Sequence, residues 1–167
     1  MAEKHDGTAH MELTAREDIE APLDEVFRAV SDFEAFERAV LRRGSDVART
    51  DTLAVAGKGM CWDVTFDFRG RPRKADLEVV EFNVPDGLKV LGKSSGIEVV
   101  FSVELVALSR ARTRLDIKAD IQATNLPARL VLQPMKLAHA SIQKRFRKRV
   151  AQFASKVEDN WQNQHSA

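Results

Sequence analysis

Four side chains in this sequence carry groups that could do chemistry inside an apolar interior. His139 recurs with Met135 and Ile142 at helical spacing on an otherwise apolar stripe, where an imidazole can act as acid, base or ligand anchor. The structural alternative is a ring satisfied by a backbone carbonyl. Glu17 shares the parity of Leu13 and Ile19, and Glu81 shares that of Val79 if the strand changes phase after it. In an apolar site either would become a carboxylic acid of raised pKa, but positions at strand ends in water are expected for both. Cys61 precedes Trp62 and so points outward, with no cysteine or histidine at catalytic or zinc-binding spacing, as befits a structural thiol.

Other chemistries lack their residues. Of the four histidines, His5, His10 and His165 lie near the ends, which argues against zinc. The glycines at 57, 59, 87, 92 and 96 fall in hairpins or strands, not ahead of a helix, so no phosphate-binding loop is expected. The absence of tyrosine removes a phenol that would serve a cyclase as acid. No metal and no cofactor is expected.

The element that must position His139 is the run from Pro134 to Trp161. At about 100° per residue, Met135, His139, Ile142, Phe146, Val150, Phe153, Val157 and Trp161 share one face. The opposite face bears Lys136, Lys144, Arg147 and Lys148, flanked by Arg145, Arg149 and Lys156, and no carboxylate appears before Glu158. Lys144, Arg145, Arg147 and Lys148 could touch anionic lipid or an acidic partner, although a solvated helix face is the expected state. Such a helix reaches about 40 Å, a length suited to lying across a curved sheet. Pro134 belongs either to its first turn or to a kink after a lead helix at 128–133.

The sheet is written in alternation. Met11, Leu13, Ala15 and Ile19 oppose Glu12, Thr14, Arg16 and Asp18, the pattern of a half-buried strand. Ala21-Pro22 starts a short helix carrying Val26, Phe27 and Val30, and Ser31 with Glu34 forms a capping-box signature for a second. From Gly44 to about Thr124 turn clusters punctuate six further strands at hairpin spacing. Trp62, Val64, Phe66 and Phe68 face inward on one strand, and Ala75, Leu77 and Val79 on the next, which then changes phase to Val80, Phe82 and Val84 as at a bulge. Val99, Phe101 and Val103, then Leu115 and Ile117, continue the apolar face. Residues 46–55 alternate only weakly.

Length and composition place these elements in one domain. The chain has 167 residues, 44% hydrophobic and 31% charged, enough to bury a core without staples. Its 26 basic and 25 acidic side chains leave a net charge of +1, so no global field drives it to nucleic acid. A single cysteine and no signal-like or membrane-length apolar run point to the cytoplasm. Residues 1–10 are expected to be a disordered lead, and residues 11–163 the domain.

The order of one strand, two short helices, six strands and one long helix resembles the helix-grip fold of the SRPBCC superfamily: START lipid-transfer domains, birch-pollen-allergen-like proteins, and polyketide cyclases or dehydratases. The local signature is Ile19-Glu20-Ala21-Pro22-Leu23-Asp24-Glu25-Val26-Phe27, followed by Ser31-Asp32-Phe33-Glu34. These residues end a strand and begin helices and carry no catalytic group. The resemblance implies an α+β architecture, a seven-stranded curved antiparallel sheet around a long C-terminal helix. It further implies a cavity for a hydrophobic molecule such as a lipid, quinone, sterol or polyketide. Read from the residues, Trp62, Phe66, Phe68, Phe101, Val103, Leu115 and Ile117 offer more apolar surface than the helix stripe covers, which means either a solid core or a pocket. The expected ligand-contacting set is therefore Trp62, Val64, Phe66, Phe68, Leu77, Val79, Val99, Phe101, Val103, Leu115 and Ile117 with Met135, His139, Ile142 and Phe146. A non-enzymatic carrier is the leading expectation. A cyclase or dehydratase using the same pocket, and a module docking through the basic helix, are the alternatives.

Overall fold

Period-two alternation along Met11–Ile19 needs a neighbouring strand and one apolar layer, and finds both. The computed structural model describes residues 9–166. The first eight positions of the expected lead lie outside the described residues, while Ala9 is already buried and His10 opens the first strand. The chain runs β1 (His10–Ile19), α1 (Leu23–Val30), α2 (Phe33–Arg42), β2 (Asp46–Arg49), β3 (Cys61–Phe68), β4 (Arg71–Asn83), β5 (Gly87–Ser94), β6 (Ile97–Ser109), β7 (Arg112–Ala123), α3 (Leu126–Leu137) and α4 (His139–His165). One antiparallel sheet takes the order β1-β7-β6-β5-β4-β3-β2, so the two short helices carry the chain from one edge to the other.

Two hairpins have two-residue turns whose central residues both adopt positive φ: Arg69 and Gly70 at 53° and 75°, Ser95 and Gly96 at 47° and 83°. That geometry matches the right-handed twist of the strands it joins. The phase change on β4 is a register shift between Val79 and Glu81, which turns Val79 and Phe82 to the same side. The weak 46–55 segment yields only the four residues of β2.

Helix boundaries depart from expectation in two places. The second helix is capped by Asp32, which accepts from the Ala35 N–H at 3.0 Å, whereas Ser31 closes α1 by donating to the Phe27 carbonyl. The Ser31–Glu34 box does not form, because Ser31 is already engaged one turn back. Pro134 neither starts the long helix nor ends the lead helix; it sits inside α3, and the break comes at Ala138. Met135 thus belongs to α3, not to the stripe of α4.

Three apolar clusters fill the interior. One joins Ile19, Val26, Phe27, Val103, Leu105, Leu115 and Ile117 to Val150, Ala154 and Val157 of α4. A second sets Met11, Leu13, Ala119 and Ile121 against Ala128 and Leu132 of α3. The third holds Met60, Trp62 and Val79 beneath Phe33 and Phe36.

The apolar stripe of α4 covers β1 and β7, and three polar side chains of the same helix reach the backbone of β1 or of the residue that follows it. Gln143, buried, accepts from the Thr14 N–H at 3.1 Å and donates to the Thr14 carbonyl. His139 Nε2 lies 2.8 Å from the Glu12 carbonyl, and Glu158 accepts from the Glu20 N–H at 2.9 Å. The match is geometric: four helical residues rise about 6 Å and two strand residues about 6.6 Å, so helix and strand stay in step while running the same way.

Candidate functional site

With α4 and part of α3 over β1 and β7, α1 against β6 and α2 over Trp62 and Val79, a stretch of the inward face of β3 to β6 stays uncovered, and α3 borders it without filling the space. An apolar pocket of about 530 Å³ remains. Phe66 and Phe68 of β3, Ala75 and Leu77 of β4, Gly92 of β5, and Ile97 and Val99 of β6 line one side. Pro127, Ala128, Val131 and Met135 of α3 line the other. The size and character are those of a site for a small ligand. Gly92 makes much of the room: it lies across from Leu77 and Val99, and a Cβ there would stand 3.0 Å from the Leu77 side chain.

The start of α3 is fixed to the β5–β6 turn. Asn125 caps the helix by accepting from the Ala128 N–H at 2.9 Å, and the Thr124 N–H and hydroxyl both donate to the Gly96 carbonyl, at 2.7 and 2.8 Å. Gly96 permits this closeness, since a Cβ would fall 2.1 Å from the Asn125 amide.

Polar groups are few. Arg73 is exposed and contributes to the lining, Ser94 is committed to the Lys74 carbonyl at 2.6 Å, and Lys93 reaches Glu98 at 3.9 Å. None of the expected acid–base groups lines the pocket. His139 is exposed and its ring faces the Glu12 carbonyl, which can only accept, so Nε2 carries the proton. Glu81 is exposed beside Lys89 at 3.7 Å, because the bulge gives inward parity to Phe82 instead. Glu17 is half-buried and lines a different, polar groove. Cys61 donates to the Gly59 carbonyl at 3.3 Å, and burial, with nearby acidic groups adding to it, pushes its thiol pKa up, away from thiolate chemistry.

Of the residues expected to contact a ligand, the pocket gathers Phe66, Phe68, Leu77, Val99 and Met135. Trp62 and Val79 are instead core: α2 lies over them, and Trp62 donates its indole N–H to Glu37 at 2.9 Å. Val64 packs beside that cluster. Phe101, Val103, Leu115 and Ile117 are spent on the layers beneath α1 and α4, and Ile142 and Phe146 pack with them. Periodicity located the inward face but not which part each helix covers. Ala75 has the inward parity of Leu77 and Val79, whereas nothing in the alternation points to Arg73 or Val131; Gly92, a glycine inside an alternating strand, is a readable signal.

No family model matches the sequence, and no curated protein matches it. Solved structures match in shape over nearly the whole chain. A protein of unknown function from Staphylococcus aureus superposes with a TM-score of 0.64 at 12% identity, covering 92% of this chain and 96% of its own. Norcoclaurine synthase from Thalictrum flavum, in complex with dopamine and hydroxybenzaldehyde, gives 0.63 at 13% identity, with 96% and 90% covered. An aromatase/cyclase from Streptomyces sp. R1128 gives 0.62 at 11% identity, with 89% and 94% covered. The chain has the helix-grip fold that these structures share.

Two other features of this helix-grip chain could be mistaken for sites. A groove of about 990 Å³ is lined mainly by outward positions of β1, β7 and β6, with Arg147 of α4 also contributing. Arg16 pairs there with Asp116 at 2.7 Å, and His10 Nε2 lies 3.3 Å from Asp120. His10, Glu12 and Asp120 converge closely enough to ligate a metal. The Lys118 ammonium stands 3.4 Å from Glu12 and 3.5 Å from Asp120 and already supplies a cation there. Lys144, Arg145, Arg147 and Lys148 are all exposed on α4. Among the described residues, no helix is long and apolar enough to cross a membrane.

Proposed function

We propose that this helix-grip protein binds and carries a hydrophobic small molecule, of lipid, quinone or polyketide-like character, in the pocket between β3–β6 and α3. The observation that carries the reading is the lining itself: phenylalanine, leucine, isoleucine, valine and methionine around about 530 Å³, with a guanidinium, an ammonium and two serines as the polar complement. Burial of apolar ligand surface at about 25 cal/mol per Å² would supply most of the affinity. The reducing interior of a cell, the cytoplasm, suits a chain whose one thiol is structural. A cyclase or dehydratase would need at least two polar groups converging on the substrate; His139, Glu17 and Glu81 do not line this pocket, which favours carriage over catalysis.

The test is direct. Protein purified without detergent should yield a bound lipophile by mass spectrometry after organic extraction, and should take up a hydrophobic dye. Gly92→Leu and Ala75→Phe place side chains in the pocket and should weaken dye binding at least about tenfold, or about 1.4 kcal/mol, with the fold retained. Unchanged binding in both filled variants would rule out this pocket.

A further inference from the structure

Helix α3 has only a narrow polar edge, made by Arg129, Gln133 and Lys136. Ala128, Val131, Leu132 and Met135 turn inward, to the core or the pocket. On the opposite side Leu126, Leu130, Gln133 and Leu137 recur at i, i+4, i+7 and i+11, a single stripe. Its three leucines are 67%, 62% and 93% exposed. A helix that is apolar on both sides is usually buried on both sides, and here no described residue covers the second side. Two prolines, Pro127 and Pro134, occupy one flank of the stripe, and Arg129 and Lys136 the other.

Charge says what covers it. Between Ile121 and Val157 there is no carboxylate and there are eight lysines and arginines. Among the described residues none of these eight takes part in an ion pair. The cations of β1 and β7, by contrast, are paired, as Arg16, Arg112, Arg114 and Lys118 are. A protein partner would be expected to bring acidic side chains to particular sites; leucines flanked on their own helix by Arg129 and Lys136, in a segment without a carboxylate, match the apolar boundary beneath a layer of anionic headgroups.

We infer that α3 docks on an anionic lipid bilayer, with Leu126, Leu130 and Leu137 entering the acyl boundary and Arg129 and Lys136 at headgroup level. The inner face of the same helix lines the pocket, so docking places the pocket one helix thickness from the lipid. The surface does not depend on a cargo, and the inference goes beyond the carrier reading.

Flotation of the full chain with vesicles of mixed phosphatidylglycerol and phosphatidylcholine tests it, with pure phosphatidylcholine vesicles alongside. The wild type should float with the anionic vesicles, and less so as salt rises. Each of Leu130→Asp and Leu137→Asp should cut partitioning by about tenfold, the loss of one buried leucine. Both positions are exposed, so melting temperature and dye binding should hold, which separates lost docking from lost folding. Gly92→Leu should still float, because the substitution lies on β5 and leaves the outer leucine stripe of α3 unchanged; this distinguishes failure of docking from failure of the carrier reading. Equal flotation of the leucine variants and the wild type, flotation indifferent to lipid charge, or a dimer in solution that the aspartates dissolve would each overturn the inference.

Discussion

Asp51 and Asp63 sit twelve residues apart in sequence and respond to protons in opposite directions. The Arg49 guanidinium, then the Cys61 and Leu53 N–H groups, hold the Asp51 carboxyl well below the usual carboxylate range. A depressed folded pKa contributes stability that is present above the unfolded value, about 3.9, and lost as pH falls through the folded one. Asp51→Asn should therefore lower the melting temperature at pH 7 and flatten the acid limb of a melting-temperature profile. Asp63 shares a hydrogen bond with its cross-strand partner Asp76, and that contact raises its pKa. A raised pKa stabilises the fold at low pH and the benefit disappears as pH rises, leaving two like charges side by side. Asp76→Asn should raise the melting temperature at neutral pH, with the gain shrinking toward pH 4; a gain that persists unchanged in acid would mean the repulsion is absent. At this scale the sequence was an incomplete guide. His139 and Glu81 were legible as polar residues near apolar positions, but a one-residue bulge and a neighbouring carbonyl decided their surroundings. Gln143 was not legible at all, since its partner lies 129 residues away.

Among the elements, the strands were readable because one face of each is wet. β7 alternates almost without fault, and even the phase slip on β4 left its mark as two successive inward-type residues. Helix coverage was not readable, because an apolar strand position looks the same whether α2, α3, α4 or a ligand lies above it. The junction of α3 and α4 was also obscured. Pro134 is tolerated inside α3, so the strongest punctuation in the segment stands four residues before the break at Ala138. Two element-level predictions follow from close contacts. Gly87 is buried, and a Cβ there would stand 2.1 Å from the Val103 carbonyl oxygen of the next strand. Gly87→Ala should cost about 1–3 kcal/mol or more, measured by urea denaturation. Gln143→Leu keeps the volume of the side chain but leaves the Thr14 N–H and carbonyl without their helix partner. It should cost about 1–3 kcal/mol, and Thr14 should gain amide exchange out of proportion to the rest of β1.

For the whole molecule, the decisive fact is unequal coverage of one curved sheet. The β1–β7 end is closed by α4 and part of α3 and the β3 end by α2, and among the described residues an inward surface stays open beside α3. This explains why the fold was legible from order and alternation, while the pocket's membership was legible only in part. Residues such as Phe101 and Leu115 have the composition of a ligand site and the coverage of a core. Filling the gap with Ala75→Phe should raise or preserve melting temperature in the purified, delipidated protein while dye uptake falls. A lower melting temperature together with unchanged uptake would place the open volume elsewhere.

The carboxamide of Gln143 meets Thr14 as the peptide group of a neighbouring strand would. It is peptide mimicry: a side chain standing in for a neighbour that a terminal strand would otherwise recruit from another chain. Where α4 lifts away, β1 becomes a template, and strand-by-strand growth into thioflavin-positive fibrils should be seeded sooner in Gln143→Leu than in variants of equal stability whose lesion lies in the interior.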